Sequence, residues 1–108
     1  MNHFFHDVIE VVKLIPKGKV TTYGKIASYL GSVKSSRSVG WALNKLSDFD
    51  KVPAHRVVNR NGLLTGKFHF MDEFYMQNKL IEEGVVVKNN KVLNFEEYLW
   101  DPIKDLTL

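Results

Sequence analysis

The chain of 108 residues contains no cysteine. That excludes disulfides, thiolate metal sites and any thiol nucleophile. It also agrees with a reducing compartment, and a cytoplasmic location is expected. No run of 18 apolar residues occurs, so no membrane partner or membrane span is expected. The opening MNHFFHDVIE lacks the basic segment and apolar stretch of a secretory leader. Neither a GxxxxGKS/T run nor a GxGxxG run is present, so no nucleotide cofactor is expected. His3 and His6 are three apart, His69 is distant, and no carboxylate stands at ligand spacing, so no metal site is expected. No serine occupies a GxSxG elbow.

What is present is one domain's worth of chain, residues 1–108, with 44% hydrophobic residues and 12% aromatics to fill a core. Charge is unevenly spread. From Lys13 to Lys67 there are eleven Lys or Arg and only two acids, Asp48 and Asp50, a net of +9. From Phe68 onward four Lys meet eight acids, a net of −4, and residues 1–12 add −2. A basic block of this kind is the footprint expected of a phosphate-binding face.

Phe4, Phe5, Val8, Ile9, Val12 and Ile15 recur at helical spacing, which predicts an amphipathic helix over residues 3–14, ended by Pro16 and Gly18. Val20-Thr21-Thr22 leads into a second helix over Tyr23–Leu30, with Thr21 or Thr22 as N-cap and Gly31 as the stop. Ser35 or Ser36 caps a third helix running to Leu46, with Val39, Ala42, Leu43 and Leu46 as its buried stripe. Two short helices joined around a glycine suggest a helix-turn-helix, the second carrying Arg37 and Lys45. VPAHRVV reads as extended, Asn61-Gly62 as a turn, and Leu63–Lys67 as a strand or irregular wing. Asp72–Glu83 is helical by pattern, with Phe74, Leu80 and Ile81 inside and Gly84 at its end. Val85–Val87 and Val92-Leu93 flank Lys88–Lys91 as a small hairpin, and Phe95, Leu99 and Trp100 anchor the tail.

The stretch VPAHRVVNRNG, Val52 to Gly62, has the make-up of a site whose centre is a methyl group. Spacing alone leaves His55 readable as a core histidine and Glu83 as a surface acid. Yet IPKGKVTTYGKIASYLG, SSRSVGWAL, VPAHRVVNRNG and LIEEGV follow one another in an order and spacing that resemble the C-terminal domain of the O6-alkylguanine-DNA alkyltransferases (methylated-DNA–protein-cysteine methyltransferases). The likeness runs from about Phe4 to Pro102. Where that family has Pro-Cys-His-Arg-Val, this chain has Pro53-Ala54-His55-Arg56-Val57. The chain therefore resembles the alkyltransferase-like branch, with Ala54 in the position of the alkyl-accepting cysteine.

The resemblance implies an α/β fold of winged helix-turn-helix type with a small C-terminal hairpin. It implies a non-catalytic DNA-damage sensor that binds O6-alkylguanine in duplex DNA through the minor groove, flips the base and flags or shields it for nucleotide excision repair. Tyr23 matches the tyrosine that helps rotate the nucleotide outward, and Arg37 the arginine that replaces the flipped base. Small residues at Ser35, Ser36 and Gly40 permit close approach to DNA, and Lys45 is expected on a phosphate. Pro53, Ala54, Val57 and Lys67 are expected to line the lesion pocket, with the alanine leaving space at its centre. His55 and Glu83 match the pair that activates the cysteine through water. Without a thiol they are expected to tie the PAHRV segment to the helix ending at Gly84. Two positions depart from the family pattern: Leu46 where an asparagine braces the active-site turn, and Lys67 where a tyrosine is common. Double-stranded DNA bearing O6-alkylguanine and nucleotide excision repair proteins are the expected partners of a monomer with no cofactor. A sequence-reading winged-helix regulator, or a base-processing enzyme using His55 and Glu83, are the alternatives.

Overall fold

The computed structural model describes residues 3–31, 36–47, 51–70 and 72–106. Helix α1 (His3–Lys13) buries Val8, Val11 and Val12, and Ile15 continues the stripe beyond its end. This is the three-four spacing of a helix with one apolar face. The chain then reverses at Gly18, whose φ is +86° and where an added Cβ would stand 3.2 Å from the Glu83 carbonyl oxygen. Strand β1 (Thr21–Thr22) runs directly into α2 (Tyr23–Tyr29). Thr22 is the N-cap: its Oγ1 accepts from the Lys25 amide at 3.1 Å. Gly31 follows the helix with φ +60°, the left-handed stop that glycine supplies.

Helix α3 (Ser36–Asn44) buries Val39, Ala42 and Leu43. It ends two residues before the expected Leu46, because the Lys45 and Leu46 amides close the last turn on the Ala42 and Leu43 carbonyls at 3.2 and 3.1 Å. Leu46 still packs, half-buried, against the core. The expected cap Ser35 lies outside the described residues, and Ser36 is already in the helix.

The VPAHRVV segment is not a continuous extended strand. Ala54–Arg56 form one 3-10 turn, and only β2 (Val57–Val58) is strand. β2 pairs in parallel with β1, Thr21 opposite Val57 and Thr22 opposite Val58. A parallel pair needs a long crossover, and α2 and α3 lie within it. Beyond β2, the Asn59 side chain accepts from the Asn61 and Leu63 amides, each at 2.9 Å, and Gly62 turns the chain with φ +81°. A second 3-10 turn covers Thr65–His69.

Helix α4 (Tyr75–Glu82) starts three residues later than the pattern predicts. The Asp72 carboxylate accepts from the Phe74 amide at 2.8 Å, a local turn that holds residues 72–74 outside the helix. The inward face also differs from the pattern. Met76 and Leu80 are fully buried, whereas Phe74 and Ile81, expected inside, are 56% and 48% exposed. Strands β3 (Val87–Lys88) and β4 (Lys91–Val92) form the expected antiparallel hairpin, with a turn of only two residues. Asn89 and Asn90 make it with positive φ at both positions, the requirement of a type I′ turn. After short helices α5 (Phe95–Tyr98) and α6 (Pro102–Asp105), the tail is strapped beside β1. The Val20 amide donates to the Tyr98 carbonyl at 2.9 Å and the Trp100 amide to the Val20 carbonyl at 2.7 Å. Of the expected anchors, Trp100 is buried, while Phe95 and Leu99 are half-buried. Among the described residues no helix is long and apolar enough to cross a membrane.

The register of α4 gives a direct check. Leu80→Ala is expected to cost about 2–5 kcal/mol of unfolding free energy, and Ile81→Ala at most about 0.5 kcal/mol, measured by urea denaturation.

Candidate functional site

The Ala54–Arg56 turn is held from behind by one carboxylate. Glu83, at the end of α4, takes two hydrogen bonds from the Arg56 guanidinium, Nε to Oε1 at 2.9 Å and Nη2 to Oε2 at 2.7 Å. Arg56 Nη1 donates to the Ile15 carbonyl at 2.7 Å, beyond the end of α1. One guanidinium therefore joins three distant parts of the chain, which its planar, many-donor fork allows. His55 lies 2.9 Å from Glu83 Oε2 through Nε2. All three side chains are largely buried, with exposures of 5% for His55, 14% for Arg56 and 9% for Glu83.

Burial alone would push the Glu83 carboxyl up. The hydrogen bonds and charges of Arg56 and His55 outweigh it and hold the group at about 2. Burial pushes the His55 imidazole below its ordinary range, against the pull of Glu83. Glu83 is thus a carboxylate that only accepts, and neutral His55 must donate to it from Nε2. The bare lone pair then sits on Nδ1, which is buried and has no hydrogen-bond partner among the described residues. A relay of this form presents a base. The neighbouring Ala54 has no proton to give and no lone pair to attack with. The expected structural tie between the PAHRV segment and α4 is present, and its stronger half is Arg56 rather than the expected His55.

Ala54 is buried, at 9% exposure, and lines a cavity of about 10 Å³ with Tyr23, Leu43, Gly66, His69 and Phe70. That is room for about one water molecule, so the alanine does not leave the expected space at the centre. Of the other residues expected around the lesion, Pro53 lies on the opposite side of the turn, in a polar cleft with Lys13, Lys51 and Lys79. Val57 is buried in β2 at 1% exposure, and Lys67 places its ammonium 5.1 Å over the Phe68 ring. Neither is among the residues lining the cavity.

In front of the cavity lies an open groove of about 320 Å³. One wall is α3, through Ser36, Arg37, Gly40, Trp41 and Asn44, and the other includes Tyr23, Thr65 and His69. Tyr23 and His69 belong to both groove and cavity. Burial raises the Tyr23 phenol above its ordinary 10, partly offset by a hydrogen bond with the Thr65 side chain. A Cβ at Gly66 would stand 2.9 Å from the Tyr23 hydroxyl, so glycine is what lets the phenol seat there. The structure thus brings Tyr23, Arg37, Ser36 and Gly40 together. Lys45 lies just past the end of α3, exposed and outside the groove. Trp41 and His69 also line the groove, although in the sequence the first stands only as part of a helix motif and the second only as a histidine distant from His3 and His6. An indole beside Gly40 on the outer face of α3 was the available signal. The basic block is also divided. Arg37 borders this groove, Lys13, Lys51 and Arg56 border the cleft behind the turn, and Lys25 pairs with Asp101 at 3.5 Å.

A helix pair presenting Arg37, a half-buried Tyr23 and a turn that opens on Ala54 is the arrangement that the resemblance to the alkyltransferase DNA-binding domain implies. The family model described as 6-O-methylguanine DNA methyltransferase, DNA binding domain, matches residues 3–86, and the chain belongs to this family. It is 38% identical to alkyltransferase-like protein 1 of Schizosaccharomyces pombe over 94% of this chain and 98% of the relative. It is also 38% identical to the DNA base-flipping protein of Escherichia coli, over 91% of this chain and 74% of the relative. The structure superposes with a TM-score of 0.83 and 38% identity on S. pombe Atl1 in a complex with damaged DNA containing O6-carboxymethylguanine, covering 94% of this chain and 98% of that one.

The buried ion pair dictates the acid response. The Glu83 carboxyl is depressed from 4.5 to about 2, so its contribution is full above pH 4.5 and is lost as pH falls through about 2. The depressed His55 acts with the same sign, since the unfolded chain takes up its proton first as pH drops below 6.5. Unfolding free energy measured by urea titration at a series of pH values is expected to decline from pH 6.5 downward. In Glu83→Gln the part of the decline below pH 4.5 should flatten, on top of a loss of about 3–5 kcal/mol at neutral pH from the unpaired buried guanidinium.

Proposed function

We propose that this chain is a non-catalytic sensor of O6-alkylguanine in duplex DNA. The observation that carries the proposal is Ala54, a buried methyl group at the nucleophile position, in a cavity that adjoins the Arg37-bearing groove of α3. Alkyl transfer needs a nucleophile there, and a methyl group supplies none. Binding needs only a helix that enters DNA and a place for an extruded base. Relatives named as alkyltransferase-like and base-flipping proteins, and the likeness to a structure with damaged DNA, support the same reading.

In this reading α3 enters the minor groove, where the small Ser35, Ser36 and Gly40 permit close approach. Tyr23 crowds the backbone beside the target nucleotide, Arg37 fills the place the base leaves, and Lys45 meets a phosphate. Extrusion costs a few kcal/mol, least for a damaged or mispaired base. The cavity at Ala54 must expand to take the base, and it does so toward the open groove, with which it shares Tyr23 and His69. Minor-groove contacts read sequence poorly, so the chain discriminates lesions rather than operators. It acts as a monomer, and the bent, flipped complex is the signal that nucleotide excision repair proteins recognise.

Three measurements test this. Titration of two duplexes that differ by one O6-methylguanine should show tighter binding to the modified one, with protein mass and base unchanged afterwards. Equal affinity for both would remove the lesion reading. Arg37→Ala is expected to weaken lesion binding about tenfold, or about 1.4 kcal/mol, and to weaken binding to intact duplex less. Ala54→Cys places a thiol on the residue before His55, and intact mass should then rise by one alkyl group after incubation with the lesion.

A further inference from the structure

Trp41 is 61% exposed on α3, whereas the other tryptophan, Trp100, is 5% exposed in the core. Among the described residues the Trp41 indole makes no hydrogen bond or ring contact. An indole left in water forgoes much of the apolar contact that makes tryptophan valuable in a fold. It stands four residues after Arg37, so the two share one side of the helix, about 5–6 Å apart. Both line the groove in front of the Ala54 cavity. Gly40 and Ser36 run alongside at the same four-residue interval and leave a low strip beside this ridge. The helix face is therefore not uniformly small. It carries one raised edge with a cation at one tooth and a large flat apolar ring at the other.

We propose that Trp41 is a DNA-positioning residue, an apolar wedge that enters the minor groove beside Arg37 and packs against the sugars and base edges next to the extruded nucleotide. This rests on the reading that α3 is the DNA-entering helix. Four residues of helix advance by about 6 Å, close to two base steps of about 3.4 Å each. With Arg37 in the vacated position, the indole falls on the flanking pairs rather than on the lesion. Apolar side chains wedged into the minor groove unstack and kink the duplex. Trp41 would thus hold the flanking stack open while Arg37 occupies the gap, and its effect is on affinity and bend, not on the recognition of the alkyl group.

The wild-type chain, Trp41→Ala and Trp41→Phe are titrated with an O6-methylguanine duplex and its unmodified counterpart at several salt concentrations, with tryptophan emission recorded. Trp41→Ala should weaken binding to both duplexes about tenfold with an unchanged salt slope, since no charge is lost. Trp41→Phe should recover most of the affinity. The emission difference between wild type and Trp41→Phe isolates the exposed indole, and DNA should quench it. Because Trp41 is exposed, urea midpoints should match across the three proteins. If Trp41→Ala binds as wild type and the indole emission ignores DNA, the wedge is overturned while any wild-type preference for the lesion still stands. If wild type binds both duplexes equally, the lesion reading fails, and the wedge is still decided by the loss or retention of affinity in Trp41→Ala. A wild-type chain that binds neither duplex overturns both.

Discussion

The Arg56–Glu83 fork is the constraint on which the site depends. The turn that carries Ala54 spans three residues and has no regular ladder to hold it in place. Its position is set by the residue at its end. Arg56 reaches behind the turn to the Ile15 carbonyl and to both oxygens of Glu83, so the ends of α1 and α4 locate the turn between them. A buried charge pair of this kind is costly to break because each partner left alone keeps its desolvation penalty. Gly18 completes the arrangement, since only a residue without a Cβ lets the chain pass so near the Glu83 carbonyl at a positive φ. His55 is a third member, oriented by the carboxylate rather than by the site in front of it.

This separates architecture from chemistry. In a transferase the same histidine and glutamate would serve a thiol. Here the pair has a structural use that survives without one, because Glu83 is the acceptor that keeps Arg56 satisfied. The cavity in front is small and mostly apolar, with Leu43, Ala54, Gly66 and Phe70 at its walls and Tyr23 and His69 at its mouth. On the proposed reading the affinity for a lesion comes from the groove and from the energy of flipping, and the cavity selects what can be received. Not all of the positive charge of residues 13–67 faces solvent, since Arg56 is 14% exposed and paired with Glu83. Part of it is spent inside the protein, on holding the turn.

Local signals were legible where local physics decides. The apolar stripe of α1, the Thr22 cap, the Gly31 stop and the hairpin around Asn89-Asn90 all rest on neighbours within a few residues. The failures have a common origin. Asp72 competes for the backbone and delays α4, which leaves Phe74 outside the helix, and α4 turns Met76 and Leu80 rather than Ile81 to the core. Val52–Val58 reads as extended because it is rich in β-branched residues, yet the tertiary pull on Arg56 bends its middle into a turn. Trp41 was hidden inside a motif whose other members account for themselves.

The sequence by itself determined that no thiol chemistry is possible, that alanine stands at the nucleophile position, and that a helix pair carries Arg37 beside small residues. The first follows from composition, the second from the resemblance carried by Pro53–Val57, and the third from order along the chain. Only the tertiary structure decided that Arg56 rather than His55 is the main partner of Glu83, 27 residues away. It also decided that Thr65 and His69 face α3 across one groove, and that the space at Ala54 is nearly closed. The reason is physical: caps and periodicities are set by residues within a turn of one another. Pairings across the fold depend on how whole elements pack, and no local pattern encodes that distance.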